Sequence, residues 1–129
     1  MSDSAKKTVL LVEDDQAMFE ALQLKLEATG FNFLGAHDGE EAVRLVNANK
    51  PDLILLDLIL PGIDGWQVLD EIKKKPELEG VPVIILTNLG IIQEIEKGKA
   101  MGATDYLIKS NTSINDVVKI VQKHLGSPA

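Results

Sequence analysis

The chain reads as an α/β protein: a five-stranded parallel sheet with helices on both faces. Three observations predict this. Five short apolar runs alternate with five longer segments of helical periodicity. The connections between successive runs are long enough to hold a helix, which parallel neighbours require. Acidic residues close two of the runs, at the strand ends where such sheets bind ligands.

The elements follow in order. Thr8–Val12 is an apolar, β-branched first strand. Gln16–Thr29 carries Phe19, Leu22 and Leu26 on one helical face, with Asp15 placed to cap its start and Gly30 its end. Residues 31–36 read as strand 2. Residues 39–50 form a second helix, apolar at Ala42, Val43 and Val46. Residues 52–57 form strand 3, followed by a turn-rich loop, Leu60-Pro61-Gly62-Ile63-Asp64-Gly65. Helix 3 spans 66–75, with Trp66 read as a packing residue. Residues 81–86 are a continuous apolar fourth strand. Helix 4, over 91–101, has the poorest propensity, diluted by Gly90 and Gly98. Asp105–Ile108 is a short fifth strand. Ile114–Leu125 is the last helix, with Ser113 and Asp116 spaced as a capping box. Right-handed crossovers restrict the topology to a few options.

With 129 residues the chain makes one domain, large enough to bury a real core. The domain is expected over 8–125, with a flexible polar tail at 1–7 and a frayed end or truncated linker at 126–129. The net charge of −7 argues against nucleic acid as a direct ligand, since phosphate contacts need Lys and Arg. The absence of cysteine excludes disulfides and thiolate metal sites. No signal peptide or membrane segment is expected in the polar N-terminus, and a cytoplasmic location follows.

Glu13 and Asp14 close the first strand and Asp57 closes the third. If those strands are neighbours, three carboxylates converge at one sheet edge. Each raises the pKa of the others, so the cluster is unfavourable without a cation. A hard divalent ion with oxygen ligands, most simply Mg2+, suits it. A carboxylate shielded by such a metal is a competent nucleophile towards phosphorus. Asp15 is sufficiently explained by the dipole of the helix it precedes.

These residues lie within an ordered set. Leu11-Val12-Glu13-Asp14-Asp15 is followed by Leu55-Leu56-Asp57-Leu58 and by the Leu60-to-Gly65 loop. Ile84-Ile85-Leu86-Thr87 comes next, then Gly102-Ala103-Thr104-Asp105-Tyr106-Leu107-Ile108-Lys109. Over roughly residues 8 to 125 the chain resembles a response-regulator receiver domain of the single-domain chemotaxis type. The resemblance implies a flavodoxin-like fold with strand order 2-1-3-4-5. It implies that Asp57 accepts a phosphoryl group and that Asp14, Asp57 and the Ile59 backbone carbonyl bind magnesium directly, with Glu13 acting through water. It further implies that Thr87 hydrogen-bonds a phosphoryl oxygen, that Lys109 pairs with the phosphoryl group, and that Tyr106 is a switch aromatic that follows Thr87. Ile59, Asn88 and Leu89 would flank the phosphoryl group. Ile59 and Leu89 are apolar and cannot orient an attacking water, so slow self-dephosphorylation is expected.

Two residues depart from the family pattern. Ser110 follows Lys109 where proline, often after a cis bond, is usual. A cis bond to serine costs about 3 kcal/mol or more, which leaves the isomer open. Asn88 replaces a usually small residue and would either crowd the phosphoryl group or bond to it.

The resemblance implies a histidine kinase or histidine phosphotransfer protein as donor. Output would run through helix 4, strand 5 and helix 5, to a downstream protein or a second copy. Met18 and Ala21 are candidate docking residues for the donor. Three other classes share parts of the pattern. An aspartate-dependent phosphatase would turn over small phosphate esters, but its acid pair is usually Asp-x-Asp on the first strand. A non-phosphorylated binding module would not bind magnesium. A flavin carrier would need a hydroxyl-rich phosphate cradle after strand 1, where this chain is acidic.

Overall fold

The computed structural model describes residues 6–88 and 91–126. Leu89, Gly90 and most of the two expected tails lie outside the described residues. The elements are β1 (Thr8–Val12), α1 (Gln16–Thr29), β2 (Asn32–Ala36), α2 (Gly39–Ala48), β3 (Leu53–Leu56) and α3 (Gly65–Lys73). They continue with a 3-10 turn (Pro76–Leu78), β4 (Val83–Thr87), α4 (Ile92–Ala100), β5 (Asp105–Ile108), a second 3-10 turn (Lys109–Asn111) and α5 (Ile114–Leu125). All four strand pairings are parallel. The order is β2-β1-β3-β4-β5, as the resemblance implies.

Alternate residues of each central strand feed opposite layers, as the two-residue period of a strand requires. Leu10, Val12, Ile54, Leu56, Val83 and Ile85 pack with Ala42 and Val46 of α2 and with Val68, Leu69 and Ile72 of α3. Val9, Leu11, Leu53, Leu55, Ile84 and Leu86 pack with Phe19, Leu22 and Leu26 of α1 and with Val117, Val118 and Val121 of α5. Phe19 reaches β2 because Gly35 has no side chain; a Cβ there would lie 2.2 Å from the ring edge. Met18 is drawn into this same layer, so packing is part of its role. No helix among the described residues is long and apolar enough to cross a membrane.

Several boundaries differ from those expected, each for a local reason. Phe31 N–H donates to Leu26 O at 3.1 Å, closing α1 behind Gly30 at φ 110°, so β2 starts one residue later. Asn49 closes α2 through bonds from both its backbone and its side chain to Leu45 O. Pro76 cannot continue α3 and opens a 3-10 turn instead. Val81 is buried, yet its N–H donates to Leu78 O at 3.0 Å, so β4 begins only at Val83. α3 begins at Gly65 because Asp64 and Gln67 form a full capping box, a signal the sequence reading passed over. At α5, Ser113 accepts from Asp116 N–H at 3.1 Å. Lys109–Ser110 is a trans bond; no cis peptide occurs among the described residues.

Candidate phosphoryl-acceptor site

β1 lies between β2 and β3, so the chain reverses its direction across the sheet there. The crevice beyond the carboxyl ends of β1 and β3 is where such sheets place ligands. Sheet hydrogen bonding runs on into it. Glu13 N–H donates to Ala36 O, and Asp57 N–H donates to Val12 O, both at 3.0 Å. Those bonds fix the backbone from which the two carboxylates project. Gly65 fixes it from the far side. A Cβ at Gly65 would lie 2.4 Å from the Asp57 carbonyl oxygen, and Gly65 N–H donates to Leu58 O at 2.9 Å. The motif glycine is therefore required by close approach of backbone, beyond its value as a turn residue.

Glu13, Asp14 and Asp57 offer carboxylate oxygens that all lie within 4.8 Å of one another. Glu13 is 1% exposed and Asp57 5%, whereas Asp14 faces solvent. The Lys109 ammonium lies between the two buried acids, 2.7 Å from Asp57 Oδ2 and 2.5 Å from Glu13 Oε1. Asp57 Oδ1 accepts from Ile59 N–H at 3.1 Å, and Glu13 Oε2 from Asp15 N–H at 3.3 Å. Three carboxylates face one ammonium, so charge balance favours a further cation. Oxygen donors at this spacing, one exposed to solvent, suit magnesium, which keeps much of its water.

Thr87 ends β4, fully buried, and its Oγ1 has no hydrogen-bond partner among the described residues. An unpaired buried hydroxyl costs about 1–3 kcal/mol, so an acceptor brought within reach of Thr87 would be favoured there. Tyr106 is half-buried on β5, paired in register with Ile85 two residues before Thr87. Burial raises its phenol pKa, with further contributions from Glu94 and Asp57. Asn88 and the Ile59 side chain are exposed. Of the sequence-predicted residues, Glu13, Asp14, Asp57, Lys109 and the Ile59 backbone come together; Thr87 and Tyr106 stand on the neighbouring strands β4 and β5, and Leu89 lies outside the described residues. The Ile59 N–H, the Gly65 approach and a Lys97–Trp66 contact (below) escaped the sequence reading.

Glu13 is pushed up to about 7, first by burial; its bond to Lys109 opposes this and the Asp57 carboxylate reinforces it. Burial also disfavours the Lys109 ammonium, but its bonds to Asp57 and Glu13 outweigh that and leave its pKa raised. Between the unfolded value near 4.5 and about 7, the folded chain holds a Glu13 proton that the unfolded chain releases. This contribution to stability is complete below the lower value and is lost as pH rises through the upper one. Glu13→Gln, which mimics the neutral acid, is expected to be more stable than the parent above pH 7, by on the order of 2 kcal/mol without magnesium. The difference should close towards pH 5, as urea unfolding at each pH will measure.

Comparison with known proteins agrees with this geometry. The family of the response regulator receiver domain matches residues 9–122. A probable transcriptional regulator, ycf27, of Guillardia theta is 38% identical over 104 residues, covering 81% of this chain and 40% of that protein. The chain spans about two-fifths of the curated relatives it matches, 40% and 42% in two cases. The receiver domain of the Francisella response regulator 1452 is 32% identical, with TM-score 0.83, covering 92% of this chain and 95% of that one. The receiver domain of the sensor histidine kinase PA1611 of Pseudomonas aeruginosa PAO1 is 30% identical, with TM-score 0.83, over 95% of this chain and 99% of its own. That structure has a magnesium ion coordinated in its active-site cleft.

Proposed function

This chain belongs to the response regulator receiver domain family, the receiver modules of two-component signalling, and on that premise we propose that Asp57 is its phosphoryl acceptor. The observation that carries this reading is the setting of the Asp57 carboxylate. It is nearly buried, held at one oxygen by Ile59 N–H and at the other by Lys109, within metal-sharing distance of Glu13 and Asp14. That arrangement aims a nucleophile and surrounds it with cationic and hydrogen-bonding groups.

A carboxylate oxygen of Asp57 attacks phosphorus, the bond from phosphorus to the donor's imidazole nitrogen breaks, and an acyl phosphate forms. The departing imidazole keeps the electron pair and takes its proton from solvent. The Lys109 ammonium pairs with the transferred group, and the Thr87 hydroxyl donates to one of its oxygens. Glu13, Asp14 and Asp57, with the Ile59 carbonyl, are the residues that would hold Mg2+, whose charge shields nucleophile and phosphoryl group from each other.

The donor is a histidine kinase or a histidine phosphotransfer protein. Output runs through α4, β5 and α5, to a downstream protein or a second copy of the chain, since added charge at the sheet edge biases a two-state surface. Incubation with acetyl phosphate and Mg2+ should add one phosphoryl mass to the intact protein, and chelating the metal should prevent it. A chain that gains no mass under these conditions contradicts the proposal.

The signal is long-lived, because the exposed Ile59 side chain offers no group to orient water. Ile59→Asn is expected to speed loss of the phosphoryl mass about tenfold, a barrier change of about 1.4 kcal/mol. Equal decay rates in the two proteins would remove this explanation.

A further inference from the structure

Helix α4 is the most weakly held of the five. Gly98 is its only buried residue, its N-cap makes no side-chain hydrogen bond, and Ile91 and Ile92 at its start are 60% and 69% exposed. Besides the half-buried Glu94 and Ile95, two consecutive residues, buried Gly98 and exposed Lys97, tie it to the rest of the fold. Gly98 rests on β4 and β5: a Cβ there would lie 2.9 Å from Ile85 Cδ1 and 3.1 Å from Tyr106 Cδ2. Lys97 reaches sideways to α3, where its Nζ stands 4.3 Å from the centroid of the Trp66 ring.

Both anchors lead back to the acceptor by separate routes. Trp66 follows Gly65, whose backbone is pressed against the Asp57 carbonyl. Trp66 is partly buried on α3, a helix held by its capping box and by Val68, Leu69 and Ile72 in the core. On the other side, Tyr106 lies one strand from the unpartnered Thr87 hydroxyl. No side chain separates its ring from the backbone of α4 at Gly98, so displacement of the ring bears directly on the helix.

We propose that Lys97 is a positioning residue. Its cation on the Trp66 ring holds α4 where it lies in the unmodified protein, and phosphorylation moves the helix off this contact. The proposal rests on the reading of Asp57 as acceptor. Breaking the contact lowers the cost of reaching the arrangement that the phosphoryl group favours. The rate of phosphorylation then rises in proportion to the fraction already so arranged.

Trp66 is the only tryptophan in the chain, so its emission reports on the contact. The experiment follows intact mass and Trp66 emission together after addition of acetyl phosphate and Mg2+. In the unaltered protein the emission should change as the phosphoryl mass appears. Lys97→Met keeps the aliphatic stem and removes the cation; it should raise the initial rate of mass gain about two- to fivefold, the weight of an exposed cation–π contact. Lys97→Arg, which keeps a cation for the ring, should restore the parent rate. A rise cannot come from electrostatic steering, because losing a positive charge slows encounter with an anionic donor. Mass gain with unchanged emission in the unaltered protein overturns the proposal, as does a Lys97→Met rate at or below the parent's. A protein that gains no mass refutes the acceptor reading instead, and this proposal with it.

Discussion

Asp57→Asn should gain no phosphoryl mass from acetyl phosphate and Mg2+, while keeping the fold. The amide oxygen still accepts from Ile59 N–H, and the backbone bond from Asp57 N to Val12 O is untouched. What disappears is the negative charge that the proposed attack on phosphorus requires. No neighbouring group replaces it readily. Glu13 is engaged by Lys109 and Asp15 N–H, and Asp14 stands at the solvent edge. Removing one of two crowded buried carboxylates also relieves Glu13, whose pKa is raised in part by Asp57. The variant is therefore expected to melt at the parent's temperature or above it. Loss of phosphorylation with a large fall in melting temperature would indicate a structural role for Asp57 and weaken the chemical one.

Lys109→Met should act in the opposite sense on stability and in the same sense on activity. The parent ammonium is 12% exposed and bridges two acids that are 1% and 5% exposed. Without it those carboxylates face each other unpaired. Removing one partner of a buried charge network costs about 3 kcal/mol. Adding Mg2+ should return part of that loss, because a ligand bound only by the folded chain stabilises it by mass action. The rate of mass gain should fall roughly 100-fold or more, the usual consequence of deleting one group that stabilises transition-state charge. Urea unfolding with and without Mg2+ reads the first effect, and time-resolved intact mass the second. A variant as stable and as quickly phosphorylated as the parent would show that the bridge contributes to neither.

Much of this was legible in the order of residues. α1, β5 and α5 have the bounds their periodicity predicts, because caps and apolar faces agree there. The carboxylates of Glu13, Asp14 and Asp57 meet as expected, since strand ends inherit the geometry of the sheet. Boundaries failed where an apolar residue served a turn instead of a strand. Phe31 and Val81 are buried, but each spends its N–H closing the preceding turn. Gly98 illustrates a deeper limit. In sequence it only weakens a helix; in space it gives α4 its close approach to Tyr106 and Ile85. Likewise, nothing local ties Lys97 to Trp66, 31 positions apart in the chain. Such contacts depend on how two helices are laid on one sheet face, which periodicity does not encode.

One measurement bears most directly on the chemistry assigned to this site. After phosphorylation from acetyl phosphate with Mg2+, borohydride reduction converts an acyl phosphate on aspartate to homoserine, and peptide sequencing by mass spectrometry locates it. Homoserine is expected at position 57 alone. Homoserine at 14, a reduced side chain at 13, or a phosphoryl group retained on a histidine or hydroxyl side chain would contradict the assignment.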